Sequence, residues 1–445
     1  MNIVLVVVDD LGWSDLGCYG ADLHQTPNID NFSKSAIRFS DAYAAAPVCT
    51  PTRASIMTGK YPARLHMTVW REKALSGPET RQGLTTATSL PNLPHREVTL
   101  AEAFRKAGYF TAHLGKWHLG GADSYPETHG FDLDIGASLW GAPPTFFYPY
   151  RGPFGREREY RYVLRLEWGS EGEYLTDRLT NEAISVIRRV KEKPFFIHMA
   201  YHTVHTPIEA KPEIVDRFRR DLREGLHHRN ATYAAMVASL DENFGRLLAN
   251  LKELRLDDHT VVIFVSDNGG YVNHYANKVV TNNHPLRSGK GSLYEGGIRV
   301  PLIIRVPKSP NPGRVCSTPV ITNDLYPTCL ELAKIANTAN HLDGLDLAPL
   351  LAAPNANLNR DALFFHYPHF YPTTTPVSAV RMGNMKLLHY YNDGHDELYS
   401  LSSDPSEQEN LVRERSKVAT QMRKRLEEWL NSLSARRPKT ISPGK

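Results

Sequence analysis

The sequence predicts an α/β fold with a large doubly wound mixed sheet flanked by helices, and a smaller C-terminal α+β domain. Short, nearly continuous runs of apolar and β-branched residues occur at 3–8, 195–200, 261–265 and 302–306, as expected for strands covered on both faces. Stretches with helical capping signals lie between these runs. Strands that alternate with helices are typical of a sheet with helices on both of its faces.

Three helices are predicted from their capping residues. Residues 99–102 (Thr-Leu-Ala-Glu) form a capping box, and the helix that they open can end at Gly108. Thr176 precedes a second helix that runs to about residue 191, and Asn230 can cap a long third helix that ends near residue 254. These helices supply the layers that cover the predicted sheet.

The pattern changes after residue 307. Shorter β-like pieces at 385–391 and 397–401 are followed by an amphipathic segment at 416–434. We therefore predict a larger α/β domain over 1–307 and a smaller α+β domain over 308–445, with an antiparallel sheet and a terminal helix. Residues 136–161 are rich in Pro, Gly, Tyr, Phe and Arg without periodicity, and we predict a long loop over the functional site.

Composition sets broad limits on the kind of protein. The 445 residues exceed the usual size of one hydrophobic core, and 41% hydrophobic with 22% charged residues is globular composition. No run approaches the roughly 20 apolar residues that a membrane span needs. Four scattered cysteines predict neither a disulfide framework nor a Cys-x-x-Cys zinc site. The first ten residues are not a signal peptide, because no basic segment precedes the apolar run and two acids end it.

Acidic side chains follow two of the predicted strands. Asp9 and Asp10 end the first strand, and Asp267 and Asn268 follow the strand at 261–265. Ligands bind beyond the carboxyl ends of strands in such sheets, so these side chains should meet at one edge. Either pair alone could be ordinary turn residues. Together they form an all-oxygen set suited to Ca²⁺, with Mg²⁺ possible, and poorly suited to zinc.

The most specific feature of the chain is the segment from Cys49 to Lys60, CTPTRASIMTGK. Pro51 favours a helix start there, which places residue 49 at the positive end of a helix, where an anion is stabilised. The segment resembles in full the signature C-x-P-x-R followed by S-x-x-T-G of the formylglycine-dependent sulfatases, members of the alkaline phosphatase superfamily. The resemblance implies an alkaline-phosphatase-like fold and a formylglycine-generating enzyme that oxidises Cys49 to Cα-formylglycine.

Further elements resemble the same family. The resemblance implies that Arg53 steadies the hydrated aldehyde, that Lys116 in GKWHLG binds the sulfate, and that His118 lies beside the hydrate. It also implies that His205 in VHTP serves the ester oxygen and that Lys290 in GKG is a second sulfate-binding lysine. Each of these could in isolation be a satisfied histidine or a solvated lysine. The resemblance also makes Asp9, Asp10, Asp267 and Asn268 the cation ligands.

The resemblance implies a sulfuric ester hydrolase that acts on a sulfated carbohydrate, either a polysaccharide or a glycosaminoglycan fragment. We expect specificity from the segments 69–95, 136–161 and 366–371, with His366 as a sugar contact. A phosphonate monoester or phosphodiester hydrolase of the same superfamily stays open, as does a non-catalytic protein that binds sulfated glycans. The family resemblance implies an exported protein, periplasmic, secreted or lysosomal. No nucleic-acid partner is expected, and the oligomeric state stays open.

Overall fold

The computed structural model describes residues 1–155 and 158–441. Its strands, in chain order, are β1 (Asn2–Val8), β2 (Ile37–Phe39), β3 (Ala42–Tyr43), β4 (Thr80–Arg81), β5 (Leu84–Thr85), β6 (Phe110–Gly115), β7 (Leu133–Ile135), β8 (Arg151–Phe154), β9 (Glu159–Tyr162), β10 (Phe195–Ala200), β11 (Thr260–Ser266), β12 (His274–Tyr275), β13 (Lys278–Val279), β14 (Leu302–Arg305), β15 (Val315–Cys316), β16 (Val320–Ile321), β17 (Leu363–Tyr367), β18 (Val377–Met382), β19 (Met385–Tyr390), β20 (Asp396–Ser400) and β21 (Lys439–Thr440).

The α-helices are α1 (Pro27–Ser33), α2 (Cys49–Thr58), α3 (Pro62–Leu65), α4 (Arg71–Leu75), α5 (Leu100–Lys106), α6 (Leu175–Val190), α7 (Pro212–Asp221), α8 (Ala231–Glu253), α9 (Glu295–Ile298), α10 (Leu325–Ala333), α11 (Ala348–Ala352) and α12 (Ser416–Ser432). Within the described residues, no helix combines the length and the apolar character that a membrane crossing requires.

A large mixed sheet forms the centre of the molecule, with strand order β15-β2-β14-β11-β1-β10-β6-β7. β1 pairs in parallel with both β10 and β11, and β6 continues the parallel part on one side. β14 pairs antiparallel with β11 and with β2 on the other side. The four apolar runs predicted as strands all lie in this sheet. Parallel strands point their carboxyl ends to one edge of the sheet, and the side chains predicted to be functional after β1 and β11 lie at that edge.

Helices cover both faces of the sheet because alternate residues of its strands point to opposite faces. In β1, Val4, Val6 and Val8 belong to one buried cluster, whose helices include α1, α6, α7 and α8. The intervening residues of β1 belong to a second buried cluster, with α2, α5, α10 and α11. This arrangement confirms the predicted α/β fold with a doubly wound mixed sheet.

A second sheet follows in the C-terminal part of the chain. β17, β18, β19 and β20 form an antiparallel sheet, and α12 packs on it through a ring stack of Phe364 and Trp429 with centroids 4.7 Å apart. The pieces predicted at 385–391 and 397–401 correspond to β19 and β20. The division of the chain at residue 307 stays a prediction; β15 lies after that residue and pairs with β2 in the large sheet.

The predicted helices occur with small differences at their ends. Thr99 and Glu102 form the reciprocal capping box that opens α5, and the Asn230 side chain accepts hydrogen bonds from two backbone amides at the start of α8. α6 begins at Leu175, so Thr176 is already helical. The segment 136–161 was predicted as a loop without strands; instead β8 and β9 pair as a hairpin within it. These strands are largely exposed, which explains why they carry no burial pattern.

Candidate active site

The predicted functional residues meet at the carboxyl edge of the large sheet. Asp9 and Asp10 follow β1, Asp267 and Asn268 follow β11, and Lys116 follows β6. The chain leaves these strands in close contact, because the backbone amide of Asp267 donates to the carbonyl oxygen of Val8 at 3.0 Å. The two acidic pairs that the sequence placed at strand ends therefore form one cluster.

Cys49 is the first residue of α2 and is 3% exposed. The position suits an anion, because the unpaired amides at a helix start carry partial positive charge. Its sulfur lies 3.6 Å from Nζ of Lys290. Burial raises the pKa of the Cys49 thiol to about 12, although Lys116 and Lys290 oppose that shift. The unmodified side chain is thus a neutral thiol near pH 7.

Two buried lysines bind the two aspartates that follow β1. Nζ of Lys116 donates to both carboxylate oxygens of Asp9, at 2.8 and 2.7 Å, and Nζ of Lys290 donates to Oδ2 of Asp10 at 2.8 Å. Burial raises the pKa of Asp9 to about 7, and Lys116 works against that shift. Burial also acts to raise the pKa of Asp10, but Lys290 and His205 outweigh it and hold the pKa below its usual range.

The donor set fits a hard divalent cation. Nδ2 of Asn268 donates to Oδ1 of Asp10 at 2.8 Å, while Oδ1 of Asn268 is buried and has no hydrogen-bond partner among the described residues. A buried amide oxygen without a partner is costly unless a donor or a cation satisfies it. With the carboxylates of Asp9, Asp10 and Asp267 beside it, this oxygen completes a set of the kind that Ca²⁺ and Mg²⁺ prefer.

Arg53 contacts the carboxylate of Asp267 in the acidic cluster instead of solvent. Its Nε donates to Oδ2 of Asp267 at 2.8 Å, and its NH1 donates to the backbone carbonyl oxygen of Lys116, also at 2.8 Å. The guanidinium is 2% exposed and therefore stays charged within this ion-pair network. The structure thus places Arg53 where it orients Asp267; a contact with a hydrated aldehyde at residue 49 stays a prediction.

His118 is held by a carboxylate that the sequence did not indicate. Its Nε2 lies 2.7 Å from Oε2 of Glu72, and Oε1 of Glu72 accepts from the backbone amide of Gly141 at 2.8 Å. A Cβ at position 141 would lie 2.4 Å from the imidazole ring, so only glycine lets the backbone approach this closely. Burial lowers the pKa of His118 to about 4, with Glu72 opposing the shift. The ring is neutral near pH 7.

His205 faces the site with one defined nitrogen. Its Nδ1 lies 2.8 Å from the backbone carbonyl oxygen of Thr206, which requires a proton on Nδ1. Its Nε2 then points toward the site and lies 3.5 Å from Oδ2 of Asp10. Burial, together with Lys290, lowers the pKa of His205 well below its usual value. In the absence of an anion the ring is therefore neutral.

These groups open into a cleft of about 250 Å³. Predicted residues that line it are Cys49, His118, His205, Lys290 and Asp10. The expected specificity segments also contribute to its wall, together with three residues outside them; the full set of additional lining residues is Val48, Trp70, Glu72, Gly141, Ala142, Phe154, Arg161, Thr206, Tyr271 and Tyr371. The aromatic residues form a rim, in which the rings of Trp70 and Tyr371 meet edge to face at 5.6 Å.

The structure does not bring His366 to this cleft. Its Nδ1 lies 2.6 Å from Oγ of Ser378 on the neighbouring strand, and its Nε2 lies 2.9 Å from the backbone carbonyl oxygen of Arg436. The side chain is buried with both nitrogens occupied, so the expected sugar contact is not supported. Tyr371, from the same segment, lines the cleft instead.

Comparison with known proteins agrees with the geometry. The family model described as Sulfatase matches residues 1–335, and one described as N-sulphoglucosamine sulphohydrolase, C-terminal, matches residues 288–435. A protein named Sulfatase from Formosa agariphila is 29% identical, over 96% of this chain and 88% of its own length. Human N-acetylgalactosamine-6-sulfatase is 30% identical, over 86% of this chain and 74% of its own length.

A solved structure extends the likeness to three dimensions. The crystal structure of Ps i-CgsB in complex with k-i-k-neocarrahexaose superimposes with a TM-score of 0.79 and 31% sequence identity, over 96% of this chain and 92% of that chain. The Sulfatase family model, which matches residues 1–335, covers well over half of the chain, including every residue of the cluster around Cys49. The chain therefore belongs to the sulfatase family and is a sulfuric ester hydrolase.

Proposed function

We propose that this enzyme releases inorganic sulfate from a sulfated carbohydrate, with Cys49 converted to Cα-formylglycine as its nucleophile and a divalent cation, Ca²⁺ or Mg²⁺, in its site. One observation carries the proposal. Donor atoms of Asp9, Asp10, Cys49 and His205 all lie within 4.8 Å of one another, at the start of a helix and beside Lys290. A cation, a nucleophile, an acid and an anion-binding lysine can therefore act on one sulfate group.

Conversion of Cys49 explains how a buried, neutral thiol can give rise to a nucleophile. A hydrated formylglycine has two hydroxyls on one carbon. The oxygen of the first bonds to the sulfur of the sulfate group as the bond from that sulfur to the sugar oxygen breaks. The second hydroxyl then loses its proton and becomes the aldehyde oxygen, which expels sulfate. The thiol has no second group with which to release sulfate. The match of residues 49–60 to the maturation signature supports this assignment, which requires a formylglycine-generating enzyme as a partner during synthesis.

Asp9, Asp10, Asp267 and Asn268 would hold the cation, which supplies positive charge to polarise the sulfuryl group and to help ionise the attacking hydroxyl. The protein's own cations add to this effect. Lys290 lines the cleft and Lys116 lies beneath it, and both are fixed by carboxylates before any substrate arrives. Such preorganised charge stabilises the charge that develops on sulfate oxygens.

Two histidines divide the proton transfers. Nε2 of His205 faces the cleft, so it can donate a proton to the departing sugar oxygen once an anionic substrate favours the charged ring. His118 has its Nε2 beside Glu72, whereas its Nδ1 is buried and unpartnered among the described residues. If Nε2 carries the proton, Nδ1 is a base that can take a proton from the formylglycine hydroxyl as it collapses.

A sugar sulfate suits the rim of the cleft. Trp70, Phe154, Tyr271 and Tyr371 offer ring faces to a pyranose, and Arg161 adds a donor for a hydroxyl or a second sulfate. Two of the similar proteins support a carbohydrate substrate, because one is named N-acetylgalactosamine-6-sulfatase and the structure of another is in complex with k-i-k-neocarrahexaose. An exported location, periplasmic, secreted or lysosomal, is part of the same proposal.

The test is a screen for sulfate release. The protein is coexpressed with a formylglycine-generating enzyme and assayed against defined sulfated mono- and oligosaccharides, a phosphodiester and a phosphonate monoester. We expect kcat/KM to be highest on one sulfated saccharide. Faster turnover of the phosphodiester or the phosphonate would reassign the enzyme to the phosphonate and phosphodiester hydrolases. Saccharide binding without any turnover by matured protein would indicate a glycan-binding protein.

A further inference from the structure

A second cluster of metal-ligating side chains lies outside the cleft. Asp15, His24 and His228 are 0%, 5% and 2% exposed, and each offers a donor atom within 4.8 Å of the others. They come from two parts of the chain: Asp15 and His24 lie in the connection between β1 and α1, and His228 lies in the turn before α8. We propose that these three residues form a second metal site, which binds a divalent cation of the zinc class.

Two distances between side-chain donor atoms match the spacing of ligands on one cation; Nδ1 of His24 also donates to the backbone carbonyl oxygen of Asp15 at 3.0 Å, a hydrogen bond that a cation on Nδ1 would replace. Oδ1 of Asp15 lies 3.5 Å from Nδ1 of His24 and 3.4 Å from Nε2 of His228. These separations are long for hydrogen bonds between charged or polar groups. Ligands about 2.0–2.1 Å from a tetrahedral ion lie about 3.4 Å from each other, which is the spacing found here. Two of the three ligand separations therefore match those of a tetrahedral site, and all three are within 4.8 Å.

One donor is left without a partner. Nε2 of His228 is buried and has no hydrogen-bond partner among the described residues. The other ring nitrogen, Nδ1, lies 2.6 Å from Oδ1 of Asp22. A metal-binding histidine characteristically donates its second N–H to a carboxylate, which fixes the tautomer and aims the free lone pair at the metal. His228 has this arrangement, with Nδ1 on Asp22 and Nε2 facing Asp15.

The carboxylate is held in the same way. Oδ2 of Asp15 accepts from the backbone amide of Gly12 at 2.7 Å and from the hydroxyl of Tyr233 at 2.6 Å, and Oδ1 accepts from Oγ1 of Thr281 at 2.8 Å. These bonds fix the orientation of both oxygens, so the ligand loses little freedom when a cation binds. Such support is expected around a metal ligand and leaves Oδ1 facing the two histidines.

The types of ligand atom indicate which kind of cation binds here. Two imidazoles and one carboxylate are a set typical of zinc, whereas Ca²⁺ and Mg²⁺ prefer oxygen ligands throughout. The site therefore differs in kind from the all-oxygen set in the cleft. A cation there would join the β1–α1 connection to the turn before α8, and it would act on the cleft only indirectly. Tyr233 links the two places, because its hydroxyl also lies 3.4 Å from the backbone carbonyl oxygen of Asp10.

Co²⁺ is the probe for the test, because tetrahedral Co²⁺ absorbs visible light strongly and substitutes for zinc. Full-length protein without an affinity tag is freed of metal and titrated with Co²⁺ in excess Ca²⁺, which keeps the all-oxygen site filled. We expect about one equivalent of Co²⁺ with tetrahedral absorption, and His228→Ala should lose it. His227→Ala is the matched control, because His227 stacks on His284 with ring centroids 3.6 Å apart and should leave the titration unchanged.

A milder variant guards against misfolding. Asp22→Asn retains all three proposed ligands and weakens the support of the His228 ring and of the backbone amides of His227 and His228, so Co²⁺ affinity should fall about 10- to 100-fold in a protein with unchanged circular dichroism. Anomalous diffraction at the zinc edge should then show a peak between Asp15, His24 and His228 in wild-type crystals soaked in Zn²⁺. Folded wild-type protein without tetrahedral Co²⁺ binding, or equal binding by His228→Ala, would overturn the proposal.

Discussion

Glu72 offers a direct test of how the site positions His118. Replacement by Gln keeps the size of the side chain and removes its charge, so the contact of 2.7 Å with Nε2 of His118 loses its charged acceptor. The Gln side chain can still present its oxygen to the backbone N–H of Gly141, which in the wild-type protein donates to Oε1 of Glu72 at 2.8 Å. The change therefore acts chiefly on the histidine.

The expected magnitude follows from this contact. A hydrogen bond to a charged group contributes about 1.5–3 kcal/mol. If that energy is fully expressed in the transition state, its loss lowers kcat/KM by roughly 10- to 150-fold, since each 1.4 kcal/mol is a factor of ten. The pH profile moves as well, because Glu72 opposes the lowering of the His118 pKa by burial. Its loss should shift the acid limb of kcat/KM to lower pH.

The assay is sulfate release by matured protein over a range of pH. Glu79→Gln is a suitable control, because Glu79 lies on the same segment and pairs with Lys73 at 2.7 Å, away from the histidine. The double variant of Glu72→Gln with His118→Ala should be no slower than His118→Ala alone, because the two residues act as a unit. Wild-type activity in Glu72→Gln, or losses that add in the double variant, would refute the positioning role.

Three further predictions concern the rest of the molecule. Burial, together with Glu295, raises the pKa of Glu407 to about 7 from its ordinary 4.5. Between these two pH values the folded protein keeps a proton that the unfolded chain releases, so the Tm of the wild type should fall relative to that of Glu407→Gln as the pH rises from 4.5 to 7. Parallel curves of Tm against pH for the two proteins would contradict this. Chelation should abolish sulfate release, with Ca²⁺ or Mg²⁺ restoring it better than Zn²⁺; activity after verified metal removal would exclude the cation's role. His205→Ala should lower kcat/KM about 10²- to 10⁴-fold on a sulfated sugar and much less on nitrophenyl sulfate. Lys290→Ala should lower kcat/KM on both substrates. Equal losses of kcat/KM on the two substrates for His205→Ala would instead make His205 a residue that binds the sulfate.

Local patterns explain why much of the fold and site was predictable. A strand buried on both faces reads as a continuous apolar run, and its end is marked by the first polar residues, which here are Asp9 after β1 and Ser266, followed by Asp267, in β11. The signature at Cys49 is a contiguous segment that folds as one helix. Because parallel strands bring their carboxyl ends together, the sequence alone predicts that the residues after β1 and after β11 meet at one edge of the sheet.

Other contacts depend on tertiary packing that no local pattern encodes. Glu72 lies on a helix of five residues and is separated by 46 positions from His118, so nothing in the sequence links the two. His366 fits the composition of a sugar-binding segment, but the register of β17 with β18 points its ring into the protein, against Ser378. The hairpin of β8 and β9 is exposed and so lacks the burial pattern by which strands are recognised.

The most direct test of the account measures the mass of the Cys49 peptide and sulfate release in the same samples. Protein coexpressed with a formylglycine-generating enzyme should give a peptide about 18 Da lighter than the thiol form, as the thiol is replaced by an aldehyde. Specific activity should rise in proportion to the converted fraction, and Cys49→Ala should fold without activity. Full sulfatase activity in protein whose Cys49 is entirely unmodified would contradict the account.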